Sequence, residues 1–182
     1  MRKVTLFIAM SLDGYVADSE GKVGWLQGEC PGKDDMVSYQ AFIQEIDTVL
    51  MGWNTYHQVT TELSPEEWLY SDLTTYVLTH RTLPATDAIH FTDEDACGLV
   101  RRLKEEQGAG IWVCGGPNVI HPLLREGLID RFHISVIPTI LGGGVRLFGA
   151  LDGACGLHLV RTEQYNGIVD LIYERRERRH GV

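Results

Sequence analysis

Two adjacent glycines and a proline, Gly115, Gly116 and Pro117, directly follow the short apolar segment 111–114. Glycine leaves room for a ligand to approach the bare backbone, and proline suits the first turn of a helix. The unpaired N–H groups at a helix start favour an anion, such as the pyrophosphate of a nucleotide. The segment is therefore either an anion-binding corner of a nucleotide-binding α/β enzyme or only a tight strand-to-helix turn. Its spacing differs from the longer dinucleotide-binding fingerprint.

Small, hydroxyl-bearing or charged residues recur in four further segments, each of which follows a predicted strand. Ligands of open α/β sheets bind outside the carboxyl ends of the strands, where such segments meet. We therefore expect these loops to form a dinucleotide-binding cradle together with the Gly-Gly-Pro corner. The four segments are 9–17, 51–56, 78–81 and 138–144.

The elements that must position these loops alternate along the first two thirds of the chain. Continuous apolar runs predict buried strands, whereas apolar residues at helical spacing predict helices, one of them capped by Thr92 or Asp93. This alternation predicts a mainly parallel sheet with helices on its faces. The predicted strands are 4–10, 48–51, 75–79, 88–91 and 111–114, and the predicted helices are 34–46, a short helix capped by Asn54, a helix ended by Gly108, and 117–126.

The last third of the chain changes character. Residues 131–137 predict a strand stopped by Pro138, and two further strands, 157–165 and 168–175, flank the hairpin signal Asn166-Gly167. We expect these strands to be antiparallel and to extend the parallel sheet. Because the chain has no linker or internal repeat, residues 1–182 are predicted to form a single α/β domain.

The composition is that of a globular protein with an acidic balance. Lys and Arg number 16 against 25 Asp and Glu, a formal charge of −9, which disfavours sequence-independent binding of nucleic acid. The basic cluster 175–179 is interpreted as a solvated strand end and tail. No apolar run is long enough to span a membrane. The four cysteines are too widely spaced for a zinc or redox motif, so we expect a cytoplasmic protein with reduced thiols and no metal site.

In their order and spacing, the five loop segments resemble the dihydrofolate-reductase-like superfamily. The resemblance is closest to the branch that contains the reductase domain of bacterial riboflavin biosynthesis, and it covers residues 4–173. It implies a three-layer dihydrofolate-reductase-like α/β fold, NADPH as the hydride donor and a homodimer. The implied reaction is hydride transfer to a C=N or C=O bond of a small heterocyclic substrate, pterin-like or pyrimidine-like.

The resemblance also implies which residues hold the cofactor. Gly115 and Gly116 match a pair that lies under the pyrophosphate and whose peptide bond is characteristically cis. Gly52 and Thr55 match the second phosphate-binding turn. Arg81 matches a loop position beside the adenosine ribose, where it either pairs with a 2′-phosphate or is an ordinary exposed arginine. The remaining implied cofactor-binding residues are Ala9, Trp53, Thr79, His80, Asn118 and Val119.

Trp53 departs from the family pattern. The family usually has Arg or Lys after the glycine of the second turn, so a cationic contact to the cofactor phosphates is missing here. Trp53 either stacks on the adenine or covers the loop. NADPH remains the expected cofactor, but NADH is not excluded.

Asp13 and Trp25 are the candidate substrate-side residues. In the riboflavin-type relatives, the aspartate of the corresponding Ser-Leu-Asp-Gly segment lies beside the substrate. Asp13 is therefore a candidate catalytic residue that binds a substrate N–H group or relays a proton, or else it only forms a turn with Gly14. Trp25 resembles a tryptophan near the nicotinamide and substrate of folate reductases, and packing is the alternative interpretation.

The substrate is less constrained than the cofactor. Asp34 and Asp35 lie close to where folate reductases carry a carboxylate, but neither aligns with it. The riboflavin-pathway reductase has basic residues after its second turn, and segment 53–59 has no arginine or lysine. We expect an NADPH-dependent reductase; the alternatives are a 5-amino-6-(5-phosphoribosylamino)uracil reductase and a nucleotide-binding protein without turnover.

Overall fold

The described part of the chain, residues 1–33 and 36–176 of a computed structural model, contains ten strands and four α-helices. The first half contains β1 (Val4–Ser11), β2 (Tyr15–Ala17), α1 (Val37–Ile43), β3 (Ile46–Gly52), α2 (Trp53–Gln58), a π-helical turn (Val59–Leu63), β4 (Thr74–Leu78) and β5 (Ile89–Thr92). The second half contains α3 (Ala96–Glu105), β6 (Gly110–Gly115), α4 (Pro117–Arg125), β7 (Arg131–Ile137), β8 (Val145–Arg146), β9 (Leu157–Tyr165) and β10 (Ile168–Arg175).

Eight of these strands form one sheet in the order β5-β4-β3-β6-β1-β7-β10-β9. The six strands from β5 to β7 are parallel, and β10 and β9 continue the sheet as antiparallel strands. The predicted fold class is therefore confirmed. The carboxyl ends of the six parallel strands lie at one edge of the sheet, which collects the loops that follow them.

Helices cover both faces of the sheet because successive strand residues point to opposite sides. Leu6, in β1, belongs to a core cluster shared with α3 and α4. Phe7, the next residue, packs in a second cluster together with Phe42 of α1. Two apolar layers of this kind explain why the parallel strands are continuous apolar runs.

The predicted hairpin at the C-terminal end is also confirmed. Asn166 and Gly167 both have positive φ angles, 45° and 78°, and they connect β9 to β10. A two-residue turn of this kind requires left-handed backbone at both positions, and Asn followed by Gly is the pair that tolerates it best.

Two predicted helix starts were wrong. The cap of α3 is Asp95, whose carboxylate accepts a hydrogen bond from the Gly98 N–H group at 2.9 Å, whereas Thr92 ends β5. Helix α2 is preceded by Gly52 and begins at Trp53, so Asn54 is not its cap. Before α3 several polar residues stand close together, and Thr92 still belongs to β5, so the cap falls on a later one. Before α2 the strand runs to Gly52 and the helix begins directly after it.

The first helix is shorter than predicted. It ends at Ile43, and Ile46 already pairs with Gly110 in the sheet. Ile46 is buried as a strand residue, so tertiary pairing overrides its helical spacing. Asp34 and Asp35, the predicted helix start, lie outside the described residues, as does most of the basic cluster 175–179.

A small second sheet was not predicted. Strand β2 pairs with β8, and Tyr15 lies opposite Arg146. Strands of three and two residues are too short to show a period of two in sequence.

Within residues 1–33 and 36–176, no helix is long and apolar enough to cross a membrane.

Candidate functional site

The two predicted phosphate-binding turns lie side by side. Strands β3 and β6 are neighbours, and Met51 pairs with Gly115, so the glycines that follow each strand reach the same edge of the sheet. A Cβ atom on Gly52 would lie 3.4 Å from Cγ2 of Val119 and 4.0 Å from the backbone N of Gly116. Gly52 therefore packs directly against the start of α4, and a larger residue would fill the space between the turns.

Thr55 lies over the glycine pair. Cβ atoms on Gly115 and Gly116 would be 3.6 and 3.7 Å from the Thr55 hydroxyl oxygen. The peptide bond between the two glycines is cis, as the resemblance implies, and Gly115 has a φ of 146°, which favours glycine. Within the described residues the Thr55 hydroxyl has no hydrogen-bond partner. A hydroxyl beside bare backbone can donate to a phosphate oxygen.

The start of α4 lies next to the glycine pair and Thr55 and belongs to the same candidate phosphate-binding site. Gly116 is the N-cap residue and offers no side chain, and Pro117 has no N–H group. The N–H groups of Val119 and Ile120 donate to the Gly116 carbonyl at 2.9 and 3.1 Å. The Asn118 N–H group, in the first turn, has no acceptor within the helix, and its side chain is exposed. Helix polarity, bare backbone and a free hydroxyl together fit a diphosphate.

Trp53 and Arg81 meet at the next strand along the same edge. Strand β4 pairs with β3, and the Arg81 guanidinium carbon lies 4.6 Å from the centroid of the Trp53 ring. The Arg81 N–H group donates to the Thr79 hydroxyl at 3.1 Å, and the Thr79 N–H group donates to the Thr92 carbonyl at 2.8 Å. His80 lies between them on the exposed side. The two loops thus present a cation beside the glycine turns.

Asp13 is tied to the segment that follows β7. The Ser11 hydroxyl donates to its Oδ1 at 2.7 Å, and the N–H groups of Leu141 and Gly142 donate to its two carboxylate oxygens at 3.1 and 2.7 Å. These hydrogen bonds, the one from Ser11 foremost, lower the pKa of Asp13 to about 2. Asp13 is therefore ionised at neutral pH and connects two of the predicted site loops, 9–17 and 138–144.

Trp25 and Ala9 are the remaining predicted site residues. Trp25 is half-exposed, and its indole N–H donates to the Lys22 carbonyl at 3.2 Å. Within the described residues no hydrogen bond or ring contact links Trp25 to Asp13 or to the glycine turns. Ala9 is half-buried near the end of β1 and pairs with Ser135. The substrate-side residues are thus less closely gathered than the cofactor-side residues.

A buried polar cluster next to α1 was not predicted. Nε2 of His133 lies 3.0 Å from the Ser38 hydroxyl and 3.0 Å from Oδ2 of Asp170, and the Tyr165 hydroxyl donates to Asp170 at 3.2 Å. Burial alone would raise the pKa of Asp170, but hydrogen bonds from His133, Ser38 and Ser135 outweigh it and lower that pKa. His133 and Asp170 occupy buried positions in strands β7 and β10. Such polar residues within otherwise apolar strands are the sequence signal that could have predicted this cluster.

The sequence analysis also did not predict that the aromatic residues on this face of the sheet form one cluster. Phe7 stacks on Phe42 at 4.5 Å, and Trp112 lies edge-on to Phe42 at 5.7 Å and to Tyr70 at 5.2 Å. Burial raises the pKa of the Cys114 thiol to about 12, so this residue before the glycine pair is a neutral thiol. Aromatic rings and a neutral thiol therefore lie beside the glycine corner, on the same face of the sheet as the buried polar cluster.

Similarity to known proteins extends over nearly the whole chain. The family model of the RibD C-terminal domain matches residues 2–169. Two proteins of Bacillus subtilis (strain 168), both described as uncharacterized, are similar in sequence. YwjB is 39% identical over 175 residues, covering 96% of this chain and 98% of that protein. YyaP is 28% identical over 182 residues, covering 94% of each.

Solved structures show the same fold. A putative riboflavin biosynthesis protein from Shewanella sp. PV-4 superposes with a TM-score of 0.82 at 30% identity, covering 97% of this chain and all of that one (100%). A diaminohydroxyphosphoribosylaminopyrimidine deaminase/5-amino-6-(5-phosphoribosylamino)uracil reductase from Thermotoga maritima superposes with a TM-score of 0.70 at 17% identity. The second match covers 96% of this chain and 57% of the longer one, and it supports the fold alone.

Proposed function

This chain belongs to the RibD C-terminal domain family, a riboflavin-pathway type of reductase, and from that premise we propose that it is an NADPH-dependent reductase. The proposed acceptor is a C=N or C=O bond of a small heterocycle, pterin-like or pyrimidine-like. The observation that carries the proposal is the convergence of Gly52, Thr55 and the Gly115-Gly116 pair at one sheet edge.

NADPH, when bound, supplies the hydride, so the protein has only to hold the cofactor and the acceptor together and exclude water. In this proposal the glycine turns and the start of α4 hold the pyrophosphate, and Thr55 donates to it. Ala9, Asn118 and Val119 would line the same space, and Thr79, His80 and Arg81 would hold the adenosine ribose. A sparse set of ionisable groups is expected for such a site.

The contacts of Asp13 limit its role. Oδ1 already accepts two hydrogen bonds and Oδ2 accepts one, which leaves Oδ2 able to accept one more, such as an N–H group of a heterocycle. A carboxyl with a pKa of about 2 is a poor proton donor at neutral pH. We therefore propose that Asp13 orients the substrate, and that Trp25 lies on the same side.

The first test measures cofactor binding. We expect NADPH to raise the melting temperature, and Gly116→Val to abolish that shift because its side chain would fill the space under Thr55. The fold should survive, since the φ of Gly116 is −78°, a value that any residue adopts. Gly153→Val is the matched control, because a Cβ there meets nothing within 4 Å. If Gly116→Val binds NADPH as the wild type does, the assignment of the corner is wrong.

The second test separates the substrates. NADPH oxidation is followed with a dihydropterin and with a ribosylaminopyrimidine phosphate as acceptors. The family match favours the pyrimidine phosphate, whereas the absence of Arg and Lys from segment 53–59 disfavours a phosphorylated substrate there. Turnover of either acceptor supports a reductase. Stabilisation by NADPH without turnover of either would favour a nucleotide-binding protein.

A further inference from the structure

The buried polar cluster next to α1 contains a titratable pair that the proposed function does not yet use. Asp170 is 0% exposed and His133 is 5% exposed, and Nε2 of His133 lies 3.0 Å from Oδ2 of Asp170. Because an ionised carboxylate only accepts hydrogen bonds, Nε2 carries a proton. The same nitrogen lies 3.0 Å from the hydroxyl oxygen of Ser38, in the first turn of α1. The imidazole therefore connects a buried carboxylate to a hydroxyl group.

The negative charge of Asp170 needs a partner inside the protein. The other groups that hydrogen-bond to this carboxylate are the hydroxyls of Tyr165, Ser38 and Ser135, which carry no charge. Tyr165 keeps its proton, because burial raises its pKa to about 12. Burying an ionised carboxylate without a compensating charge is costly, whereas an imidazolium at hydrogen-bond distance compensates it. His133 is thus the member of the cluster that can carry the positive charge.

The cluster lies towards the edge of the sheet that carries the glycine turns. Helix α1 ends shortly before β3 begins at the opposite edge, so its first turn, with Ser38, lies on the side of the carboxyl edge. Ser135 lies opposite Ala9 in β1 and opposite Asp170 in β10. Ala9, which would line the cofactor space, is only half-buried. Ser38 is therefore the hydroxyl through which His133 would reach a bound acceptor.

We propose that His133, charged and held by Asp170, supplies the proton that accompanies hydride transfer, and that the Ser38 hydroxyl delivers it to the acceptor. The proposal deepens the function proposed above and rests on it. A separate proton donor is required because Asp13 is ionised at neutral pH. Ser38 would contact the acceptor, whereas His133 and Asp170 act through it.

The proton balance of the reaction shows what this relay does. Reduction of a C=N bond by the reduced nicotinamide adds a hydride to carbon and leaves the electron pair of the π bond on nitrogen. The Ser38 O–H bond breaks as its proton passes to that nitrogen, and the Nε2–H proton of His133 passes to the Ser38 oxygen. His133 becomes a neutral imidazole and regains a proton from solvent after product release. Asp170 stays ionised throughout.

The surroundings of His133 make its titration readable. The rings of Phe7 and Phe42 lie 4.4 and 6.2 Å from the imidazole, on the sides of β1 and α1. From β10 it meets Asp170, and Tyr165 of β9 lies beside that carboxylate. In the part of the chain that the structure describes, these two are the titratable groups of the cluster besides the imidazole, and neither titrates near neutral pH. The charged residues that follow towards the amino edge pair with one another, Arg131 with Glu45 and Glu174.

The first experiment needs neither cofactor nor acceptor. Long-range ¹H–¹⁵N NMR spectra report which ring nitrogens of a histidine carry protons, and His133→Gln identifies the signal of His133. We expect His133 to keep both ring protons to a higher pH than the exposed His158, because Asp170 compensates its charge. A His133 ring that loses its charge at a lower pH than His158, or that carries no proton on Nε2, would overturn the proposal.

The second experiment measures turnover against pH, with whichever acceptor of the two named above is reduced. In the wild type, kcat should fall as the pH rises and His133 loses its proton. His133→Gln keeps an N–H donor but cannot carry the charge, so it should lower kcat by about 100-fold and remove this fall. His121→Gln is the matched control, because its ring contacts the Leu147 carbonyl at 3.0 Å, away from the cluster. It should change neither kcat nor the profile.

Ser38→Ala tests the delivery step with a small change that the fold should tolerate. It should lower kcat by about tenfold or more, while the Kd of NADPH, measured by calorimetry, stays unchanged. If His133→Gln and Ser38→Ala lower only the melting temperature and leave kcat and its pH dependence as in the wild type, the cluster is structural and the proposal is overturned. Should His133→Gln not fold, Ser38→Ala and the NMR spectrum of the wild type decide.

Failure of this inference is distinguishable from failure of the proposed function. If NADPH binds and an acceptor is reduced, but Ser38→Ala leaves kcat unchanged, only the proton relay is overturned. If neither acceptor is reduced, the proposed reductase function is overturned and this inference with it.

Discussion

At the scale of single residues, Asp13 connects two loops of the fold and is also the carboxylate proposed to orient the substrate. Its three hydrogen-bond donors come from β1 and from the loop after β7, so one side chain holds two predicted site loops in register. The same donors lower its pKa to about 2 and remove it as a proton donor at neutral pH. The turn and substrate-side interpretations of Asp13 are therefore compatible.

We expect Asp13→Asn to lower the melting temperature at pH 7, because an amide NH₂ group would face an N–H donor. The pKa in the folded state is below the ordinary value of 3.8, so the ionised carboxylate stabilises the fold above that value. This contribution is lost as the pH falls towards about 2, and the two melting curves should converge there. Calorimetry across pH, with Asp152→Asn as the control, measures this. A gap independent of pH would contradict it.

At the scale of elements, the residue at which a helix starts depends on where the preceding strand ends. Sequence offered Thr92 and Asp93 as caps for α3, and the structure uses Asp95, whose carboxylate bonds to the Gly98 N–H group. Thr92 instead continues β5, and its hydroxyl accepts a hydrogen bond from the Glu94 N–H group. When candidate cap residues are this close in sequence, the position at which the strand ends decides which of them caps the helix.

Substitution at the two aspartates distinguishes the caps. Asp95→Ala should reduce the free energy of unfolding by about 1 kcal/mol, the usual cost of losing an N-cap side chain. Asp93→Ala should change it by less than about 0.5 kcal/mol, as for a surface substitution without such a bond. Urea unfolding measures both. Equal losses from the two variants would mean that Asp95 is not the dominant cap.

At the scale of the whole molecule, the strand order brings together loops that are distant in sequence. Placing β3, β6 and β1 side by side in the sheet gathers the glycine turns, Thr55 and Asp13 at the carboxyl edge. One of the two outer strands of the sheet is exposed to solvent. This strand is β9, in which Leu159 and Val160 are 47% and 46% exposed.

We propose that this edge strand is covered by a second copy of the chain, because an exposed apolar edge invites pairing. Light scattering after size exclusion should show a dimer for the wild type. Leu159→Lys combined with Val160→Lys should shift it to a monomer, and Leu63→Lys, also at an exposed apolar residue, should not. A monomeric wild type would contradict the proposal.

Sequence by itself determined the parallel strands, the antiparallel hairpin at Asn166-Gly167 and the glycine corner at Gly115-Gly116. These features depend on local backbone freedom and on the period of apolar residues, which a single segment carries. The motif order also indicated the superfamily, since loops that follow strands keep their sequence order whatever their spatial arrangement.

Only the tertiary structure decided which side chains meet. Thr55 lies over the glycine pair, Arg81 stacks on Trp53, and Asp13 holds Gly142 from 129 positions away. The buried contact of His133 with Asp170 is of the same kind. No local pattern encodes such contacts, because the distance between two side chains is set by strand order and register. The geometry of the candidate site therefore follows from the strand order of the sheet, which the apolar pattern of single segments does not specify.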